Sequence, residues 1–166
     1  LDVATMTYKT TPSIELRPAT QADQPFLQRL YTSTRSLEFR LHGCDAATEA
    51  ILQTIQFKAQ QTDFQLLYPD AEVTIIIERD EPIGRLYVHY TVAELRLVDI
   101  TLLPEYRGRG VGKGLLRGLQ AHGQRLHLPV RLNVMLGNPA QRLCQRYDFT
   151  MQGLDGLYAT MEWQPS

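Results

Sequence analysis

Shortly after Asp99 the chain reads Arg107-Gly108-Arg109-Gly110-Val111-Gly112-Lys113. Over residues 105–113, Arg107, Arg109 and Lys113 stand against one carboxylate, Glu105. Glycines let backbone N–H groups approach an anion that any Cβ would obstruct. A helix starting there adds roughly half a positive charge. The turn is therefore a candidate phosphate cradle. Asp99, ahead of it, could bind a cation or accept a proton, directly or through water. A solvated or capping carboxylate is the competing reading. Glu94 is a weaker candidate, because the starts of strands are often exposed.

The flanking elements follow from pattern. Residues 94–103 are rich in Leu, Ile and Val and short enough for one buried strand. Pro104 ends it, since proline cannot donate to a sheet ladder. Val111, Leu115 and Leu119 recur at helical spacing, so the turn joins a strand to a helix. With unbroken alternation, Leu95, Leu97, Asp99 and Thr101 share one face of the strand, and Val98, Ile100 and Leu102 share the other. One face thus turns from apolar to polar beside the glycines, where ligands commonly bind in open sheets. Gly114 and Gly118 inside the helix cost about 1 kcal/mol each relative to alanine. Tight packing of that helix on a sheet accounts for them.

Before this segment, 14–17 alternates as a first strand, and Thr20 caps a helix carrying Phe26, Leu27, Leu30 and Tyr31. Residues 33–45 lack periodicity and read as a loop or broken helix. Residues 46–67 read as a long helix, with Ile51, Ile55, Ala59 and Leu66 on its buried side. Strands are expected over 73–78 and 83–90, paired as a hairpin. After the central helix, which ends near Leu126, come a strand over 130–136 and a helix opened by Asn138-Pro139. Two closing strands flank a turn at 153–156. The order β-α-α-β-β-β-α-β-α-β-β predicts an α/β (α+β) domain with a mixed sheet covered by helices.

With 166 residues the chain reads as a single domain over 1–166, and 1–13 reads as a flexible N-terminal segment. A net charge of −1 argues against a nucleic-acid partner. No apolar run reaches membrane-spanning length, and no secretory signal is recognisable. Cys44 and Cys144 are too few and too far apart for a disulfide framework, so a cytoplasmic location is expected. His42, His89, His122 and His127 lack metal-ligand spacing and read mostly as solvated, so no metal is expected.

Two phosphate-binding patterns fail on spacing. A dinucleotide fingerprint needs Gly-x-Gly-x-x-Gly; its third position falls on Lys113 counted from Gly108, or on Leu115 counted from Gly110. A P-loop needs glycine where Arg107 stands and Ser or Thr where Gly114 stands. What remains is Arg107-x-x-Gly110-x-Gly112 after a strand and opening a helix. A second stretch runs Asn138-Pro139-Ala140-Gln141-Arg142-Leu143-Cys144-Gln145-Arg146-Tyr147-Asp148-Phe149. Together these resemble the GNAT family of acyl-CoA-dependent N-acetyltransferases, over about residues 14–163 in element order.

The resemblance implies a GNAT fold with a mixed, mostly antiparallel sheet of about six to seven strands. It also implies acetyl-CoA as co-substrate and a small-molecule or peptide amine as acceptor. Backbone N–H groups over Arg107, Gly108, Arg109, Gly110, Val111, Gly112 and Lys113 would bind the cofactor pyrophosphate. The strand at Ile100, Thr101, Leu102 and Leu103 would hold the acetyl and pantetheine groups, with the Leu102 amide stabilising an oxyanion. Asn138 joins the cofactor set. The family usually carries a tyrosine at the position of Cys144, to protonate the leaving thiolate. Cys144, Tyr147 three residues on, or water are the alternatives, and a small core residue is the plain reading of Cys144. Gln56, Phe57, Gln60 and Tyr87 could line the acceptor side, with core or surface roles as the alternative. A non-catalytic acyl-CoA-binding module on the same fold is the second functional reading. Oligomeric state is open, although homodimers are usual in similar proteins.

Overall fold

Arg79 and Asp80 both take positive φ, 51° and 66°, as a two-residue turn matched to strand twist requires. They fold β2 (Glu72–Glu78) onto β3 (Glu81–Tyr90) as the expected hairpin. The computed structural model describes residues 13–41 and 43–166, apart from the side chains of 36–41. All but Ser13 of the expected N-terminal segment, together with His42, lie outside the described residues.

β1 (Glu15–Pro18) pairs with β2, and α1 (Gln24–Leu41) and α2 (Ala46–Leu67) lie between those two strands in the chain. β4 (Leu95–Leu102) follows the hairpin, then α3 (Val111–Leu126), β5 (Val130–Met135), α4 (Pro139–Arg146), β6 (Thr150–Asp155) and β7 (Tyr158–Trp163). The seven strands form one sheet in the order β1-β2-β3-β4-β5-β7-β6. Every pairing is antiparallel except the central one, β4 with β5. This is the mixed sheet that the element order predicts, mostly antiparallel as the resemblance implies.

Both faces of the sheet are covered, which explains the unbroken apolar run of β2. Ile75 joins Phe26, Leu27, Leu30 and Phe57 beneath α1 and α2. Ile76 joins Leu86, Val88, Leu115 and Leu119 beneath α3. Among the described residues no helix is long and apolar enough to cross a membrane.

Three local expectations are corrected. The helix α1 runs through 33–41, because the Ser33 and Thr34 hydroxyls bond back to the Leu30 and Tyr31 carbonyls and so fit a helix interior. The buried side of α2 is Gln53 and Phe57; Ile51, Ile55, Ala59 and Leu66 are exposed. Phe57 wins the interior by packing on Tyr31, with ring centroids 5.6 Å apart, and Thr54 and Gln61 tie α2 to Gln28 and Gln24 of α1. Finally, β4 does not alternate evenly. Val88 pairs with Leu97 but Tyr87 pairs with Asp99, so Val98 is an extra, bulged residue. The bulge leaves Leu97 on the face of Ile100 and Leu102, packed toward α3, and turns Asp99 and Thr101 toward α2.

Candidate active site

The β4–β5 ladder holds at three positions only: Leu95↔Val130, Arg96↔Arg131 and Leu97↔Leu132. Beyond them β4 stays on β3 as far as Leu102, while β5 stays on β7 as far as Met135. The strands part at the bulge, and a cleft of about 660 Å³ occupies the gap. Hydrogen-bonded and non-bonded pairs alternate along an antiparallel ladder. Since the Leu103 amide donates to the Ile83 carbonyl at 2.9 Å, Ile100 and Leu102 turn their backbone groups away from β3 and toward the cleft. The Leu102 carbonyl fits this, accepting from Arg107 Nε at 2.9 Å. Donors left open in such a gap call for a partner.

At the cleft's end the glycine turn enters α3. Gly110 caps the helix at φ 87° and Gly108 has φ 73°, left-handed values that glycine adopts without strain. The first helical bond runs from Gly114 N–H to the Gly110 carbonyl. The amides of Val111, Gly112 and Lys113 are thus first-turn donors without an intrahelical acceptor. A Cβ placed on Gly108 or Gly112 would meet nothing within 4 Å, so the cradle is open to an approaching group. The arginines of the turn are engaged elsewhere: Arg107 holds Leu102, and Arg109 lies 3.4 Å from Glu78 and 5.1 Å above the Tyr106 ring. An anion here would be held by amides and the helix end.

On the α2 side, Asp99 is tied into a network that spans three elements. Its Oδ2 accepts from Arg85 Nη2 at 2.8 Å, Arg85 Nε at 3.1 Å and Thr101 Oγ1 at 2.7 Å. Arg85 also donates to Gln60 of α2 at 3.3 Å and lies 5.9 Å above the Phe64 ring. Gln60, Arg85, Asp99 and Thr101 all face the cleft. Arg85 was not among the expected site residues. Its signal was present: an arginine inside the apolar strand over 83–90 needs a buried partner. Glu94 lies apart, bridged to Arg96 at 2.7 Å and Arg131 at 2.6 Å. Burial pushes its carboxyl up, but the two arginines outweigh this and hold it below its ordinary value.

The other expected residues divide. Asn138 caps α4 by accepting from the Ala140 amide at 2.9 Å and borders the cleft. Cys144 also borders the cleft but is buried, and burial pushes its thiol up to about 11. The Tyr147 ring is covered by Arg117 at 5.1 Å and Lys113 at 5.9 Å and is not part of the cleft lining. Phe57 is buried in the core and Gln56 is exposed; neither lines the cleft. Tyr87 stacks on Phe64 with centroids 5.3 Å apart and borders a neighbouring cavity of about 280 Å³. Asn133 and Tyr158, unmarked in the sequence reading, line the cleft from β5 and β7. Their place depends on strand register, which has no local signature. His122, read as solvated, is buried against Tyr90 with its Nδ1 accepting from Arg125. Burial and Arg125 hold its pKa below the ordinary value. Among the described residues no three His, Cys, Asp or Glu side chains are grouped to hold a metal ion.

Residues 69–151 match the family model described as acetyltransferase (GNAT) domain. Several solved structures share the fold. The PaiA N-acetyltransferase from Thermoplasma acidophilum, in complex with coenzyme A, is 18% identical with a TM-score of 0.67, over 92% of this chain and 99% of that one. An acetyltransferase from Thermus thermophilus is 20% identical with a TM-score of 0.65, over 92% and 97%. The Campylobacter jejuni N-acetyltransferase PseH, in complex with acetyl coenzyme A, is 16% identical with a TM-score of 0.53, over 93% and 100%. No curated protein matches the sequence.

Proposed function

Because the chain belongs to the GNAT family of acetyltransferases, we propose that it moves the acetyl group of acetyl-CoA to a primary amine by direct attack in a ternary complex. The observation that carries this is the parting of β4 from β5 between the open amide cradle and the Asp99 network. The amides of 108–113 bind the pyrophosphate, and the backbone of Ile100 and Leu102 takes the pantetheine arm as an added strand. Holding both substrates in one cleft replaces a bimolecular encounter with an oriented one.

The amine nitrogen forms a bond to the thioester carbonyl carbon, the Leu102 N–H stabilises the oxyanion, and the C–S bond then breaks. Arg85 and Thr101 hydrogen-bond Oδ2 of Asp99 and hold that carboxylate at the cleft, where it can bind an ammonium or order a water. The amine proton leaves to Asp99 or to a water that it orders. Cys144 is a poor acid for the departing thiolate. A thiol at about 11 would give up its proton to an ordinary thiolate, with an acid pKa near 8.5, uphill by about 3 kcal/mol. Solvent water supplies that proton.

Calorimetry with acetyl-CoA and thiol release across a panel of primary amines test the proposal. Binding with amine-dependent thiol release is the expected result. The same buried Cys144 thiol favours the second reading, a non-catalytic acyl-CoA-binding module. Binding with no turnover on any amine would support it.

A further inference from the structure

The 280 Å³ cavity beside the main cleft is not absorbed by the acetyl-transfer chemistry. It lies among the turn before α1, the second half of α2 and the α2-facing side of β2 and β3. Leu27, Phe64 and Arg85 border both spaces, so the cavity adjoins the cleft at the Asp99 network. Its polar lining is unusual in being carboxamide-rich: Thr20, Gln21, Gln24, Gln61 and Gln65, with Tyr87 below. The one charged group in the lining, Arg85, is neutralised by Asp99.

Each glutamine offers two donors and an acceptor, a hydroxyl offers one donor and two lone pairs, and none carries charge. Gln24 and Gln61 spend one such pair on each other, at 3.0 Å, which fixes their amide planes. The Tyr87 and Phe64 rings, stacked 5.3 Å apart, supply an aromatic wall. An aromatic wall facing neutral, two-way hydrogen-bonding groups matches a ring that is apolar on its faces and hydroxylated at its rim. It offers no counter-charge to a second ammonium.

We infer that this cavity is a binding site for the far end of the acceptor, and that the acceptor is a hydroxylated amine of amino-sugar type. The inference rests on the amine-acetyltransferase reading and narrows it. The ammonium sits at Asp99 in the cleft while the hydroxylated ring fills the space lined by the glutamines. Gln24 and Gln61 are half-buried, and an analogue without hydroxyls would leave their remaining hydrogen-bonding groups poorly paired.

The test uses the purified chain with saturating acetyl-CoA and three probes: glucosamine, cyclohexylamine and 1,5-diaminopentane. Thiol release should give glucosamine a kcat/KM about 10- to 100-fold above the other two. Gln65→Leu, which breaks no hydrogen bond holding the helices together, should raise the glucosamine KM about tenfold and leave cyclohexylamine unchanged. Saturation-transfer NMR of glucosamine with the CoA-loaded protein provides a readout independent of turnover. Glucosamine binding that Gln65→Leu weakens, without thiol release, would sustain the cavity assignment and sink the catalytic reading. No glucosamine signal, a diamine or cyclohexylamine preference, or an equal effect of Gln65→Leu on all three amines would overturn the inference.

Discussion

Replacing Gly84 by alanine tests how the cleft is built. Gly84 sits on β3 opposite Leu102, at the end of the stretch of β4 that has parted from β5. A Cβ there would lie 2.4 Å from the Thr101 carbonyl oxygen and 2.7 Å from Leu102 Cδ2. The first contact is with backbone and cannot be relieved by a rotamer, so β3 and β4 must separate by about 1 Å to reach ordinary contact. Overpacking of this kind costs about 1–3 kcal/mol. The adjacent Leu103–Ile83 hydrogen bond, 2.9 Å long, is stretched by the same movement and adds about 1 kcal/mol. Gly84→Ala should therefore destabilise by roughly 2–4 kcal/mol, which for a chain of this size lowers Tm by about 4–16 °C. The displaced Leu102 should also raise the KM for acetyl-CoA. Gly153→Ala, where a Cβ meets nothing within 4 Å, is the control and should stay within about 0.5 kcal/mol of the parent. Urea unfolding with Cm and m-values, together with acetyl-CoA kinetics, reads both effects. A Gly84→Ala protein as stable as the Gly153→Ala control would refute the strand-contact reasoning.

Other consequences follow from named contacts. Asp99→Asn should lower kcat/KM for the amine about 100-fold or more. Arg85→Met should lower stability by roughly 1–3 kcal/mol, a figure reduced for the partial exposure of Asp99, and a double-mutant cycle should show the two substitutions coupled. Arg17, bonded to Asp23 at 2.7 Å, holds the Asp23 carboxyl well below its ordinary range. The folded pKa lies below the unfolded one, so this stabilisation is complete above about pH 4 and fades as pH falls through the folded value. Asp23→Asn should therefore destabilise by about 1–3 kcal/mol at pH 7 in urea titrations, and by much less near pH 2. Cys144, with its buried thiol pushed up to about 11, should resist iodoacetamide at pH 8 while the partly exposed Cys44 is labelled. Peptide mapping by mass spectrometry distinguishes them, and rapid labelling of Cys144 in the folded protein would contradict its placement.

What the sequence discloses here is local. Val111, Leu115 and Leu119 lie within one helix, and all three are buried as their spacing predicts. The glycine turn, the helix opened by Asn138-Pro139 and the hairpin of β2 and β3 are equally short-range. The long helix α2 carries two apolar stripes, one through Ile51 and Ile55 and one through Phe57 and Phe64. Which stripe turns inward is decided by α1 and β3, through Tyr31 and Tyr87. Similarly, the bulge at Val98 has no glycine to mark it, yet it moves Asp99 to the α2 face. The cleft itself is an absence of pairing between strands separated by a whole helix, and no residue type encodes that. The sequence singles out Asp99 by its type and place, whereas its ties to Arg85 and Thr101, and through Arg85 to Gln60, become visible only with the register.

Hydrogen-exchange mass spectrometry with and without acetyl-CoA tests the central claim most directly. The parted strand and the helix start should gain protection together, with slowed exchange confined mainly to 98–102 and 108–113. Amides at β1 and β2, far from the cleft, should exchange unchanged. Acetyl-CoA that leaves both segments unprotected, or protects a different surface, would contradict the assignment of this cleft as the acetyl-transfer site.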